Sequence, residues 1–180
     1  PETFSRCTDT IVRHVEDIGR MVAEFSSFAR MPEPVLKKEN IFNHIEEVRL
    51  LQAQAHSDIH FNMICAADKN SLTAMVDAQQ LRQALTNIIQ NAVDSVQARI
   101  NKNDKEPGHV DIIVDIRNGT ELCIAVTDNG LGFPGDEATA QLTEPYITHK
   151  PKGTGLGLAI VKKIMEDHDG DLLLGADRWL

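Results

Sequence analysis

The sequence is poor in cysteine and aromatic residues and lacks a long apolar run. Its three cysteines, Cys7, Cys65 and Cys123, are far apart and form no Cys-x-x-Cys pair, so neither a disulfide framework nor a zinc site is expected. We read them as reduced, mostly buried thiols in a cytoplasmic setting. No stretch approaches the roughly 18 consecutive apolar residues of a transmembrane helix. The first ten residues are polar and do not resemble a secretion signal.

The sequence also lacks the basic runs that are typical of nucleic-acid-binding proteins. Its net charge is −9 at pH 7, so we expect no nucleic-acid partner. A phosphate-bearing ligand is still compatible with this charge, because backbone amides and a few lysines can bind phosphate locally. The length of 180 residues suits one domain of ordinary size and a small appendage.

Residues 1–31 form the predicted appendage. Apolar residues recur at spacings of three, four or seven, namely Phe4, Cys7, Ile11, Ile18, Met21, Phe25 and Phe28. This spacing predicts one long helix with a coiled-coil or bundle seam. Such a helix cannot bury its own seam, so it needs partner helices. Pro32 and Pro34 end the pattern and place a domain boundary there.

Strand and helix patterns alternate over residues 32–180. The predicted strands are Val35–Lys38, Ile59–Cys65, Leu72–Val76, Val110–Ile116, Leu122–Thr127 and Asp171–Leu174. The predicted helices begin after the capping residues Asn40 and Asp77 and at Gly155. Asn118-Gly119 predicts a hairpin turn. The pattern indicates an α+β fold, a two-layer α/β sandwich with helices on one face of a mixed sheet.

The first motif that carries chemistry is Asn87-Ile-Ile-Gln-Asn91-Ala-Val-Asp94. Asn87 and Asn91 are four residues apart, so their amides lie on one helix face. An amide oxygen is a neutral ligand that suits magnesium already bound to phosphates. Two asparagines on a solvated helix face explain the same pattern equally well.

The second motif, Asp128-Asn-Gly130-Leu-Gly132-Phe, follows the predicted strand Leu122–Thr127 directly. A carboxylate at a strand end can accept a hydrogen bond from an exocyclic amine. The two glycines let the backbone turn closely around a flat ring. An ordinary Asp-Asn-Gly turn is the alternative.

The third motif is Gly153-Thr154-Gly155-Leu156-Gly157-Leu-Ala-Ile, at the start of a predicted helix. Backbone amides at a helix N-terminus bind anions, and glycine lets phosphates approach. The motif is not a Walker loop, since no Gly-Lys-Ser/Thr ends it. A flexible linker is the alternative.

In this order and with these spacings, the three motifs resemble the nucleotide boxes of the sensor histidine kinase catalytic domain. That domain belongs to the Bergerat superfamily, which includes gyrase, the ninety-kilodalton heat-shock chaperone and the mismatch-repair ATPases. The resemblance covers about residues 35–174. The segments Phe25-Ser-Ser-Phe-Ala-Arg30 and Thr143-Glu-Pro-Tyr-Ile-Thr148 resemble the nitrogen-regulation sensor kinases more closely.

The resemblance implies a role for each matching residue, with ATP and magnesium as ligands. Asn91 would coordinate magnesium, Asn87 would lie beside the phosphates, and Asp128 would recognise the adenine amine. Glycines would surround the nucleotide: Gly130 and Gly132 at the adenine, and Gly153, Gly155 and Gly157, with Thr154 and Leu156 between them, at the phosphates. Residues 144–150 resemble a mobile lid that contributes Tyr146, Thr148 and Lys150. Lys150 would reach the terminal phosphate.

Two positions depart from the family pattern. Where many members have a cation followed by Tyr or His, this sequence has Asp94 and Ser95, which shifts the phosphate-binding role to Lys150. At Asn87 the hydrolysing relatives usually have a glutamate that acts as general base. An amide cannot take a proton, so the sequence favours phosphoryl transfer over hydrolysis.

The resemblance also implies partners. Residues 1–31 would be the second helix of a dimerisation and phosphotransfer hairpin, so we expect a homodimer through a four-helix bundle. The partner in signalling would be the receiver domain of a response regulator. The acceptor-histidine motif is not found, and we expect it on a helix outside this chain. We also expect a final sheet strand to be missing. Any membrane segment would lie upstream, with the whole protein in the inner membrane and this part in the cytoplasm.

The sequence is compatible with two other functions. One is a nucleotide-sensing interaction module that controls a phosphatase activity towards the regulator. The other is a Bergerat-type ATPase, against which Asn87 argues.

Overall fold

The computed structural model describes residues 2–102, 104–133, 140–144 and 154–175. The helices are α1 (Glu2–Ala29), α2 (Ile41–Ala55), α3 (Ala78–Ile100) and α4 (Gly157–Asp167). The strands are β1 (Lys37–Asn40), β2 (Ile59–Cys65), β3 (Thr73–Val76), β4 (Gly108–Arg117) and β5 (Glu121–Asp128). A short 3₁₀ helix covers Ala140–Thr143. In the part of the chain so described, no helix is long and apolar enough to cross a membrane.

Two helices begin where the sequence predicted. The Asn40 side chain accepts a hydrogen bond from the Asn43 amide at the start of α2. Asp77 accepts hydrogen bonds from the amides of Gln79 and Gln80 at the start of α3. Each cap satisfies amides that the first turn of a helix leaves without a partner, and thereby fixes the register of the helix.

The main sheet has the order β2-β4-β5 and is mixed, as predicted. β2 runs parallel to β4, and β4 runs antiparallel to β5. Between β4 and β5, Asn118 and Gly119 both have positive φ, at 52° and 76°. The Thr120 amide donates to the Arg117 carbonyl at 3.1 Å and closes the predicted turn. β1 and β3 form a separate antiparallel pair.

One face of the sheet packs against α2 and α3 and forms the main core. The alternate residues Val110, Ile112 and Val114 of β4 are fully buried there, beneath Ile89 and Val93 of α3. This burial follows from the period of two along a strand and the apolar stripe of the helix. The two-layer arrangement presents the N-terminal half of α3 to a second helix, α4, which packs on its other side.

A second cluster joins α1 and α4 to α3. It contains Ala84, Leu156, Ile160, Val161 and Ile164, and Phe28 and Met31 pack against it. Phe28 was predicted in the bundle seam, but its ring packs here. The reason is that α1 ends at Ala29 and the chain turns onto α3 and α4 at this point.

Polar contacts hold the segment that follows α1 against the start of α3. The Val35 amide donates to Asp77 Oδ2 at 2.9 Å, and Gln80 Nε2 donates to the Pro32 carbonyl at 2.9 Å. The Asp77 amide donates to His168 Nε2 at 2.9 Å, just beyond the end of α4. The hydrogen bond from Val35, and then that from Gln80, lowers the pKa of the Asp77 carboxyl.

Two predicted strands differ from the structure, and the helix predicted from Gly155 begins at Gly157, because Gly155 has a positive φ of 70°. The first strand lies at Lys37–Asn40 rather than at Val35–Lys38, because the Val35 amide is bonded to Asp77 and only Lys37 onward pairs with β3. The predicted strand Asp171–Leu174 is absent from residues 171–175. There the Leu172 amide donates to Asp171 Oδ1 at 2.8 Å, and Leu172 packs against the second cluster, so it is not free to join a ladder.

The rest of the predicted seam of α1 lies on the surface. Ile11, Ile18, Met21 and Phe25 are exposed, together with Val12, Val15 and Val22. The side chains of Phe4 and Cys7 lie outside the described residues. An apolar face of this length on one helix is the feature that a helical partner would cover.

Candidate functional site

The first two predicted site residues lie together on the face of α3 that meets α4. Asn87 Nδ2 donates to the carbonyl of Gly157, the first residue of α4, at 3.3 Å. A Cβ atom placed on Gly157 would lie 4.0 Å from Asn91 Nδ2. The spacing of four residues puts both amides on one face of α3, as the sequence predicted, and packing brings that face to the start of α4. Both asparagines are half-buried at this junction, which favours a site over a fully solvated helix face.

The glycine loop enters α4 through a left-handed residue, Gly155, at φ 70°. Leu156 occupies the N-cap position and has no polar side chain to cap the helix. Its side chain is buried in the second cluster, so only its backbone faces the predicted site. The Thr154 hydroxyl accepts the Leu156 amide at 3.4 Å. The first turn of α4 thus offers amides to an anion, in line with the helix dipole.

Among the described residues, no atom fills the space beside Gly157. Its φ is not in the left-handed region, and a Cβ there would meet no atom closer than 4.0 Å among the described residues. Neither its backbone conformation nor packing by the described residues therefore requires glycine at this position. A glycine beside two amide side chains and a helix N-terminus suits the close approach of a phosphate.

The loop after β5 contains the third group of predicted residues. Asp128 Oδ1 accepts the Gly130 amide at 2.8 Å, which leaves the second carboxylate oxygen for a ligand. Gly132 has φ 73°, a conformation that glycine adopts readily. Asp128 is exposed, so its charge is available at the surface of the site.

Two residues that the motifs did not single out anchor this loop. Asn129 accepts the His109 amide through Oδ1 at 2.8 Å and donates to the Pro107 carbonyl through Nδ2 at 2.9 Å. The Ser95 hydroxyl of α3 accepts the Leu131 amide at 3.0 Å. Ser95 is one helical turn beyond Asn91, and that spacing was the available signal for its position on the same helix side.

Four predicted site residues lie outside the described residues: Tyr146, Thr148, Lys150 and Gly153. The predicted lid is described only at Glu144. Their roles stay predictions.

The described residues fit magnesium only as a partner of phosphate. Within residues 2–102, 104–133, 140–144 and 154–175, no group of three His, Cys, Asp or Glu side chains could hold a metal ion. Asn91 lies beside Gly157, with its Nδ2 4.0 Å from a Cβ atom built there, and its side chain contributes one amide oxygen as a possible ligand type. Magnesium keeps several waters and takes few protein ligands when it is bound with nucleotide phosphates, so this donor set suits it.

Comparison with known proteins agrees with this site. Residues 76–178 match the profile described as "Histidine kinase-, DNA gyrase B-, and HSP90-like ATPase", which covers all three motifs. The chain is 43% identical over 184 residues to the nitrogen regulation protein NtrY of Azorhizobium caulinodans, across 99% of this chain and 23% of that protein. The chain spans about a quarter of the length of such curated relatives.

Solved structures show the same architecture. The catalytic domain of histidine kinase ThkA superposes with a TM-score of 0.61 at 28% identity, over 74% of this chain and 81% of that one. ThkA in complex with the response regulator TrrA gives a TM-score of 0.72 over 99% of this chain and 49% of that one, at 23% identity. The second likeness extends the shared fold to α1.

The order of the three motifs, the contact of Asn87 with Gly157 and the profile match lead to one assignment. The chain belongs to the family of histidine kinase-, DNA gyrase B- and HSP90-like ATPases.

Proposed function

We propose that this chain is the ATP-binding catalytic part of a two-component sensor histidine kinase. It transfers the γ-phosphate of magnesium-ATP to a histidine on a helix that this chain does not contain, for relay to an aspartate of a response regulator. The observation that carries the proposal is the meeting of Asn87 and Asn91 with Gly157 at the uncapped start of α4. The likeness to the catalytic domain of histidine kinase ThkA supports the same function.

The residues act mainly by positioning. In the transfer, an imidazole nitrogen of the acceptor forms a bond to the γ-phosphorus while the bond to the β-γ bridging oxygen breaks, and ADP leaves. Magnesium, when bound, neutralises charge on the phosphates. Asn91 would hold it through its amide oxygen, and the first amides of α4 would bind the phosphate oxygens. Asp128 would accept the adenine amine, and Lys150 would contact the terminal phosphate.

Asn87 supports transfer over hydrolysis. Its amide donates to the Gly157 carbonyl, a bond that a carboxylate could not make without a proton. A water molecule beside this amide would find no general base in it. The Bergerat-type ATPase is therefore the weaker proposal, and steady ATP turnover by the isolated chain would revive it.

We also propose a homodimer through α1, a receiver-domain partner and a role in nitrogen regulation. The exposed apolar face of α1 supports the first, the response regulator TrrA bound to ThkA supports the second, and the likeness to NtrY supports the third. A reaction that uses ATP suits the cytoplasmic side of an inner-membrane protein.

The test is transfer of labelled γ-phosphate to a supplied acceptor hairpin. The chain, magnesium-ATP and a hairpin with the acceptor histidine should give acid-labile label on the hairpin. Asn91→Ala should lower the rate at least tenfold, since the proposed magnesium ligand is lost. The control hairpin has glutamine in place of the acceptor histidine. Absence of label on the intact hairpin, with a chain shown to bind ATP, would overturn the proposal.

One observation favours a second function, the nucleotide-sensing module. The N-terminus of α4 lies at the proposed phosphate site, and Phe28 and Met31 pack against the cluster that α4 shares with α3. Just beyond the C-terminus of α4, His168 Nε2 accepts the Asp77 amide. A nucleotide at one end of the helix could therefore bias how α1 docks at the other. A regulator dephosphorylation rate that does not change with ATP or ADP would count against this function.

A further inference from the structure

Ser95 of α3 contacts the loop that carries Asp128. Its hydroxyl accepts the Leu131 amide at 3.0 Å, across 36 positions of sequence. Ser95 is half-buried and lies one turn after Asn91 on the same helix. A single helix therefore holds both the proposed magnesium ligand and an anchor for the proposed adenine loop.

The loop backbone lies directly on Ser95. A Cβ atom built on Gly130 would be 2.2 Å from Ser95 Oγ and 2.4 Å from the Ser95 carbonyl carbon. The φ of Gly130 is not in the left-handed region, so glycine is needed here for space. Gly132 is the opposite case, because a Cβ there meets nothing within 4 Å while its φ is 73°. The contact at Gly130 is thus specific to the approach of the loop to α3.

The anchored backbone in turn fixes the carboxylate. The Gly130 amide donates to Asp128 Oδ1 at 2.8 Å. The Ser95 bond holds the next amide, that of Leu131, so consecutive amides link the α3 hydroxyl to the Asp128 side chain. On the other side, Asn129 is bonded to His109, so the loop has an anchor at each end. Among these contacts, the Ser95 bond is the one that comes from α3.

We propose that Ser95 is a positioning residue for base recognition. Through Leu131 and Gly130, its hydroxyl sets the orientation in which the second oxygen of Asp128 meets the amine of adenine. This inference rests on the proposed function, since it assigns Asp128 to the adenine amine. Ser95 does not itself touch the base in this proposal, so its loss should change selectivity more than phosphate binding.

The test compares ATP with ITP, which has the same triphosphate but a 6-oxo group in place of the amine. The affinities for ATP and ITP are measured by isothermal titration calorimetry in the presence of magnesium. We expect Ser95→Ala to lose about tenfold in ATP affinity, the equivalent of one hydrogen bond to a charged group. ITP affinity should change little, so the ATP-to-ITP ratio should fall. Ser95→Thr, which keeps the hydroxyl, should restore most of the ratio.

Two further variants separate positioning from general damage. Thr86→Ala removes a hydroxyl from the exposed side of α3, where it donates to the Arg82 carbonyl, and should leave both affinities unchanged. Gly130→Ala should lower the ratio as Ser95→Ala does, because the added methyl group pushes the loop away from α3. If Ser95→Ala fails to fold, the ATP-to-ITP affinity ratio of Gly130→Ala tests the proposal instead.

The outcomes distinguish this inference from the proposed function. If the wild type binds ATP better than ITP and the ratio is unchanged in a folded Ser95→Ala or Gly130→Ala, the positioning role is overturned and the proposed function stands. An equal loss for both nucleotides also overturns it, since that result indicates a purely structural role. A wild type that binds no ATP overturns both.

Discussion

Asp128 has two carboxylate oxygens with different tasks. One accepts the Gly130 amide, and the other is the proposed acceptor of the adenine amine. Asp128→Asn keeps the shape but replaces one oxygen with a donor, so either orientation of the amide sets two donors against each other. We expect at least a tenfold loss of ATP affinity. Binding of a fluorescent ATP analogue, with and without magnesium, measures it.

The matched control for this substitution is Asp115→Asn. Asp115 is an exposed aspartate of β4, at the far end of the same strand pair, and accepts the neighbouring Ile116 amide. Asp115→Asn should leave the ATP affinity unchanged, and the two variants should have the same circular dichroism spectrum. An unchanged ATP affinity in Asp128→Asn would show that Asp128 does not recognise adenine.

Gly108 shows how packing alone can require a glycine. A Cβ built there would lie 2.7 Å from Val96 Cγ1 and 3.0 Å from Ile59 Cγ1, both in the main core. We expect Gly108→Ala to lower the free energy of unfolding by about 1–3 kcal/mol, the usual cost of overpacking. Urea unfolding measures it.

Gly19 serves as the control for Gly108, because a Cβ there meets no atom within 4 Å. Gly19→Ala should not destabilise the chain, since alanine has a higher helix propensity than glycine at an exposed helical position. Equal stability of Gly108→Ala and the wild type would mean that β4 begins further from α3 than described.

Among the elements, α3 depends most on a single cap. Asp77 accepts amides from Gln79, Gln80 and Val35, so it both begins α3 and holds the segment that leaves α1. We expect Asp77→Asn to lower the free energy of unfolding by up to about 1 kcal/mol at pH 7, less than the loss of a whole cap. An asparagine oxygen still accepts amides, but the negative charge at the helix N-terminus is lost.

The difference in unfolding free energy between the wild type and Asp77→Asn should depend on pH, and the direction of that dependence follows from the pKa of Asp77. Hydrogen bonds lower the pKa of Asp77 in the folded chain, so its stabilisation is complete above its ordinary pKa of about 4. It is lost as the pH falls through the lowered value. The wild type minus Asp77→Asn difference, from urea unfolding, should therefore shrink between pH 7 and pH 3. Asp58→Asn, at an exposed position, is the control, and a difference that grows on acidification would contradict this role.

The helix α4 connects the glycine loop to α3 and to the end of α1. Its first residue meets Asn87, and its buried residues share a cluster with α3 against which Phe28 packs. The local sequence pattern predicts this helix. The packing of α4 along α3 then brings the glycine loop to the two asparagines. The site is therefore assembled by a helix pair, with the loop after β5 at its side.

At the scale of the whole molecule, the exposed face of α1 is the feature that the fold leaves uncovered. Ile11, Val15, Ile18 and Val22 lie along it. If α1 dimerises as proposed, Ile18→Asp should shift the chain towards monomer, because a charge in a bundle seam is costly to bury. Sedimentation velocity across a concentration series measures the shift.

Arg13→Glu is the control for Ile18→Asp, since Arg13 lies on the opposite side of the helix by the 3.6-residue period. It should leave the oligomeric state unchanged. An identical distribution for the wild type and both variants, with a dimer present throughout, would place the interface elsewhere.

Local residue chemistry made much of this fold predictable. Asn40 and Asp77 cap helices, Asn118-Gly119 turns a hairpin, and Ile59–Cys65 has the alternation of a half-buried strand. These signals act within a few residues, so they survive without tertiary context. The predicted strand Asp171–Leu174 failed because pairing depends on a neighbouring strand, and in the structure Leu172 packs instead against helices.

The sequence by itself determined the chemistry of the site: amides four apart on a helix, a carboxylate after a strand, and glycines before a helix. Spacing and residue type carry that information. Only the tertiary structure decided which neighbours complete it. Ser95 reaches Leu131 across 36 positions, and Asn87 reaches Gly157 across 70. Those contacts depend on how α3 packs against α4 and the loop after β5, and packing between distant segments is set by the whole core.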